Sequence, residues 1–207
     1  MTFTWVLDER KFLPLEQVRR IRAFCQRRKR EALKSGEFLP IREWFMVELG
    51  LNTGLRVQEI ADLKCGDLFI SALEGSVIVR KGKGRKRRPV WISEPFKKDC
   101  QFFLRWKHHL GYSVENEAAV FTSEHGRPVT KRTLQESFKS IARDAGLPAY
   151  YSIHCLRHTY ATHLLKASGN NFKLIKEQLG HSSIEVSEIY AGLIGSEVKK
   201  ALGKMYS

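Results

Sequence analysis

Residues 152–165, SIHCLRHTYATHLL, hold the densest set of chemistry-bearing side chains in the chain. Apolar residues recur through this stretch at helical spacing, which predicts a helix over about 153–167. His154, Arg157 and His158 then fall at i, i+3 and i+4, within reach of one helical face. An imidazole and a guanidinium side by side can address one phosphate. A zinc site built on His154 and His158 is excluded by pattern, because no Glu follows the first histidine and no third ligand is evident. Helical histidines are ordinarily packing or capping residues, and that role is assigned to His158 and His163.

Working outward, 172–179 reads as a further helix closed by Gly180 and followed by His181-Ser182-Ser183, and Tyr190 stands nine residues past His181 at the end of a short helical pattern over 184–190. A last helix is expected over 196–205, with Val198, Leu202 and Met205 on one side. Upstream, Thr130 is placed to cap a helix whose buried stripe is Leu134, Phe138, Ile141 and Ala145, ended by Gly146 and Pro148. Residues 95–110 form another helix with Phe96, Cys100, Phe103, Leu104 and Leu110 inward, and 118–122 suggests a short strand. Residues 76–80 and 88–92 are β-rich, and Gly82-Lys83-Gly84 between them makes a hairpin with a basic tip. Pro89 marks the second as an edge strand.

Nearer the N-terminus, Pro14 opens a helix with Leu15, Val18, Ile21 and Phe24 on one face, and a second helix is expected over 41–51. Asn52-Thr53-Gly54 reads as a break before a helix with Val57, Ile60 and Leu63 inward and Arg56 at its first turn. No internal repeat or low-complexity linker interrupts the chain. The expected fold class is α+β, mainly helical, with a small antiparallel β-sheet in a single domain.

Composition narrows the function. The 207 residues carry 36 Lys and Arg against 22 Asp and Glu, a formal charge of +14, which disfavours an acidic tail or a neutral secreted enzyme. Seven of nine residues in 80–88 (RKGKGRKRR) and seven of twelve in 19–30 (RRIRAFCQRRKR) are basic. On charge alone, nucleic acid, an anionic membrane or an acidic protein could be the partner. Both runs lie within structured segments, which favours a folded nucleic-acid surface. The candidates for DNA contact are Arg80, Lys81, Arg85, Lys86, Arg87 and Arg88 of the hairpin, with Arg27 and Arg28 of the first helix. Cys25, Cys65, Cys100 and Cys155 lie 35 or more residues apart with no metal-finger spacing, as expected of reduced core residues. No apolar run is long enough to span a membrane, and charge comes too early for a signal peptide, so the chain is expected to be soluble and cytoplasmic.

The order TGLRVQEI, basic hairpin, HCLRH, LGHSS and a tyrosine resembles the catalytic domain of the tyrosine recombinase, or phage integrase, family over roughly residues 13–205. Single motifs of this kind are weak, and four in order at fitting spacing are strong. The resemblance implies that Arg56, Lys83, His154, Arg157 and His181 form the catalytic set around the nucleophile Tyr190, with Glu59 at the acidic position three residues after the first arginine. Lys81 and Lys86 rival Lys83 for the hairpin position. Ala191-Gly192 follows Tyr190 where the family more often has Thr-His.

The activity so implied is site-specific cleavage and rejoining of double-stranded DNA through a 3′-phosphotyrosyl link, with no cofactor, no metal and no ATP. The resemblance also implies a homo-tetramer on paired sites, with an accessory protein as a further possible partner. The expected division is an N-terminal extension at 1–12, a catalytic domain at 13–195 and a C-terminal helix at 196–207 exchanged between subunits. Most family members carry a helical domain before the catalytic one, and its place here would fall to a partner, to another subunit or to nothing. Competing readings are a type IB topoisomerase, which shares the chemistry without partner exchange, and a DNA-binding accessory protein with little or no catalysis. A metal-dependent nuclease lacks the carboxylate cluster it needs.

Overall fold

In the computed structural model, which describes residues 10–71, 74–80 and 87–180, the interior is organised around one helix with almost no exposed face. This is α2 (Leu39–Thr53), started by Pro40 in its first turn and buried nearly all round, its Arg42, Glu43 and Glu48 included. It ends where Gly54 turns left-handed, φ 60°, and donates its N–H to Gly50 O at 3.0 Å. The sequence break expected at Asn52-Thr53-Gly54 therefore begins only at Gly54. Asn52 Nδ2 donates to Glu48 O and Thr53 Oγ1 to Leu49 O, so both polar side chains fold back on their own helix instead of ending it.

α1 (Leu15–Ser35) packs on α2 through Val18, Ile21, Cys25 and Ala32. Leu15, expected on that stripe, lies exposed at the first turn. On the other side stand α4 (Glu94–His109), α5 (Lys131–Asp144) and α6 (His154–Ala167). Phe45 of α2 stacks on Phe103 of α4 with centroids 4.1 Å apart, and Phe96 and Phe121 complete the cluster. Each such pair adds about 0.5–1.5 kcal/mol beyond the area it buries. α5 starts as its sequence predicts, with Thr130 Oγ1 accepting from Thr133 N, and buries Leu134, Phe138 and Ile141.

The sheet has three antiparallel strands in the order β1 (Leu68–Ile70), β2 (Gly75–Val79), β3 (Arg88–Trp91). Leu68 pairs with Val77 and Val77 with Val90, which turns the three toward the core, and Pro89 sits on the edge strand. The strand expected over 118–122 is reduced to two isolated bridges, Lys64 to Ala119 and Thr122 to Pro128. Those carbonyls serve side chains: Arg42 donates to Thr122 O, and the buried Lys107 of α4 donates to Ala119 O.

α6 joins two cores. Its first half lies in the main one, and Ala161 and Leu165 meet Ile175 and Leu179 of α7 (Phe172–Leu179) in a small separate cluster. The segment before α1 is tied to α6 as well, for Leu13 N donates to Thr159 Oγ1, and to the loop ahead of α6, where Tyr151 Oη donates to Phe12 O. His163, expected to be a packing residue, sits 3.2 Å from Leu13 O.

Candidate active site

Two segments 103 positions apart in sequence meet at the turn after α2. Gly54 there carries a left-handed φ, and a Cβ on it would lie 2.5 Å from the Tyr160 ring and 2.8 Å from Leu179, so only glycine lets α6 and α7 come this close. Arg157 of α6 is buried, and it donates from Nη1 to Gly54 O at 2.5 Å and from Nη2 to Leu179 O at 3.3 Å. One guanidinium thus fixes the ends of α2 and α7 on α6. Two residues beyond Gly54, Arg56 is the N-cap of α3 (Val57–Ala61). The Glu59 carboxylate accepts its backbone N–H at 2.8 Å and contacts its Nη1 at 3.5 Å.

A third arginine joins them. Arg88, at the start of β3, donates Nη2 to both oxygens of Glu59 at 3.1 Å. Burial pushes its pKa down, the Glu59 carboxylate opposes that shift and the Arg56 guanidinium adds to it. Its stem lies over Gly180, the left-handed residue that ends α7 and leads into His181. Arg56 and Glu59 of the α3 start, Arg88 of β3 and Arg157 of α6, from three separate elements, therefore converge on one place.

His154 begins α6 one turn before Arg157 and is exposed, and His158 follows on the same helix, half-buried. Arg56, Glu59, Asp62, Lys64, Asp67 and Arg80 line a cleft of about 750 Å³ that runs from Arg56 to Arg80 at the base of the hairpin. Lys83, His181 and Tyr190 lie outside the described residues, as do Lys81, Arg85 and Lys86, the helix over 184–190 and the one over 196–205.

The remaining basic candidates fall into different surroundings. Arg87 is exposed. Arg80 is held by Asp67 and, through Nη1, by both oxygens of Glu117 at 2.8 and 3.0 Å. Arg27 lies over the Phe24 ring at 5.4 Å. Arg28 pairs with the buried Glu43 of α2, as Arg22 does with Glu48 at 2.8 Å. Lys29 rests on Trp44, 3.3 Å from the ring centre. Much of the basic run on α1 therefore faces carboxylates and aromatic rings of this same chain. Sequence reasoning missed this because Glu43 and Glu48 belong to another helix.

Among the described residues no group of three or more His, Cys, Asp or Glu is arranged to hold a metal ion, and no helix is long and apolar enough to cross a membrane.

Tyrosine recombinase XerC of Vibrio cholerae is 33% identical over 155 residues, covering 75% of this chain and 48% of the relative. Tyrosine recombinase XerD of Oceanobacillus iheyensis is 30% identical over 168 residues, covering 81% of this chain and 55% of the relative. The chain thus spans about half the length of these curated relatives. The crystal structure of XerA recombinase superposes with a TM-score of 0.69 at 25% identity, over 95% of this chain and 65% of that one. XerH site-specific recombinase bound to its difH substrate before cleavage gives 0.73 at 23% identity, over 95% and 55%, a likeness of fold. The phage integrase family model matches residues 11–194, and the chain belongs to that family.

Proposed function

We propose that this protein is a site-specific DNA recombinase that cuts and rejoins strands through Tyr190. The observation that carries the reading is the convergence of Arg56 and Arg157, from two distant helices, on the Gly54 turn, with Glu59 and Arg88 around them. XerH, bound to DNA in its solved complex, shares this fold.

Attack on a phosphodiester adds negative charge to the non-bridging oxygens. Arg56 and Arg157 can each offer paired N–H donors to those oxygens, and a guanidinium already fixed by backbone carbonyls needs little reorganisation to do so. His181 would donate a further bond. The Tyr190 phenol, with an ordinary pKa of about 10, gives up its proton as it attacks, and His154 is the assigned acceptor. Lys83, in a basic surround, protonates the departing 5′-oxygen. The products are a 3′-phosphotyrosyl link and a free 5′-hydroxyl, and attack by another 5′-hydroxyl reverses the step without ATP because the link keeps the energy of the phosphodiester. In this reading the catalytic unit is 13–195, and the helix over 196–205 docks on a neighbouring subunit of a tetramer.

The exposed Arg87, with Lys81, Arg85 and Lys86, is assigned to flanking phosphates. Covalent trapping tests the function: duplex nicked near the cleavage position is incubated with protein in a chelator, and wild type should give a denaturation-resistant adduct that Tyr190→Phe does not. An equal adduct from both proteins would overturn the assignment of Tyr190.

A further inference from the structure

Arg80 directly follows β2, and its guanidinium is divided between two carboxylates in opposite surroundings. Nε donates to Asp67 Oδ1, and that side chain is only 5% exposed. Asp67 Oδ2 accepts Lys64 N at 2.9 Å, so both oxygens of the buried carboxylate are in use and the guanidinium is held along one edge. The other partner is Glu117, 37 positions away, which takes Arg80 Nη1 on both oxygens at 2.8 and 3.0 Å with a side chain 75% exposed. An ion pair this open to water adds little to stability, so the fold has small need of Glu117. The Arg80 hydrogen bonds hold the Glu117 carboxyl below the ordinary carboxylate pKa, and the charges of Lys64 and Arg87 act in the same sense. One acidic side chain thus sits in water among three cations, two of which, Arg80 and Lys64, line the cleft that begins at Arg56.

We propose that Arg80, oriented by Asp67, is a backbone-phosphate site for duplex DNA, and that Glu117 holds the phosphate's place until DNA displaces it. A carboxylate and a phosphate offer a guanidinium the same pair of oxygens. Duplex therefore gains the Arg80 contact only by breaking the Glu117 pair and approaching a negative charge. Phosphates carry no sequence information, so Glu117 weakens binding to every duplex alike. Its place in the fold is to restrain the nonspecific affinity of a chain with a charge of +14.

The inference rests on the DNA reading above, and the two fail separately. Affinity for a random-sequence duplex is titrated at low and moderate salt for wild type, E117Q, E115Q, R80K and R80K/E117Q, with melting temperatures alongside. E117Q should bind about 2- to 5-fold more tightly at low salt, the worth of one exposed ion pair, and the gain should shrink as salt screens the pair. Glu115 is exposed two positions away, so E115Q removes the same charge without touching the Arg80 pair and should gain less. In R80K the ammonium, a single point charge, stays with the buried Asp67 and cannot also fork a phosphate. Adding E117Q to R80K should then bring no more than E115Q brings to wild type. E117Q binding no more tightly than E115Q overturns the inference, as does an E117Q gain that survives in R80K. Both glutamates lie on the surface, so the first comparison stands even where R80K melts early. A wild type with no affinity for duplex removes the DNA reading itself, and this inference with it.

Discussion

Arg157 is a buried side chain that holds the fold together and, in the proposed function, also faces the phosphate. Its guanidinium ties Gly54 O to Leu179 O, so Arg157→Lys, with one point charge for a planar fork, cannot satisfy both carbonyls and still face a phosphate. Cleavage by R157K should fall by about 10²- to 10³-fold, the range for loss of an oxyanion donor, with binding to duplex retained in a filter or gel assay. Gly54→Ala puts a Cβ 2.5 Å from the Tyr160 ring at a φ of 60°, and both the strain and the clash fall on the turn that carries Arg56. It should cost about 1–3 kcal/mol in denaturant unfolding and abolish adduct formation. At this scale the sequence was highly legible where chemistry is local: His154 and Arg157 share a helix, and TGLR is a contiguous turn. The placement of Arg88 was not legible, because its partner Glu59 and the Gly180 it lies over are 29 and 92 positions away.

Among elements, the two basic runs behave differently, and the difference is measurable. Arg28 on α1 pairs with Glu43, whose pKa burial pushes up and Arg28 brings down. Arg28→Gln leaves that carboxylate buried with its charge less compensated and should destabilise by about 1–3 kcal/mol, with little change in the salt dependence of DNA binding. The exposed Arg87→Gln should do the reverse: unchanged melting and a salt slope smaller by about 1. Equal salt slopes for the two variants would refute this division. α5, with a cap, a stripe and a stop, was readable in full, and α7 by its span and its Gly180 stop, whereas β1 is three residues long and too short to show alternation. Residues 118–122 look like a strand by composition, yet two of their carbonyls pair with side chains of α2 and α4, which sequence pattern does not reveal. α7 is held to α6 by a small cluster separate from the main core, so its amides should exchange with deuterium well before those of α2. Equal protection would show that the two cores open together.

For the molecule as a whole, the four cysteines are free and buried, so a thiol reagent should find almost none of them in the native protein and all four after unfolding. The same burial governs alkaline stability. Burial pushes the Cys25 thiol up to about 12 from its ordinary 9.0, and Cys65, Cys100 and Cys155 shift in the same direction. Between those values the native chain holds protons that the unfolded chain has lost, so stability falls as pH rises above about 9. Lys29, lowered by burial to about 8, and Lys107, also lowered, act in the opposite sense below their ordinary values. Four thiols, joined above pH 10 by Tyr160 raised to about 12, outweigh two lysines. The melting temperature should therefore decline from about pH 9 upward, and less steeply in Cys25→Ala. On the proposed function, the charge of +14 should also make affinity for duplex fall by orders of magnitude between low and moderate salt, as a binding titration at the two ionic strengths would show.

Whether the arginine site serves attack by Tyr190 on a DNA phosphate is decided by mass spectrometry of the trapped adduct after exhaustive nuclease and protease digestion. The expected product is a peptide containing Tyr190 that carries a nucleotide through its 3′-phosphate. A nucleotide joined through a 5′-phosphate, or attached to any other residue, would contradict it.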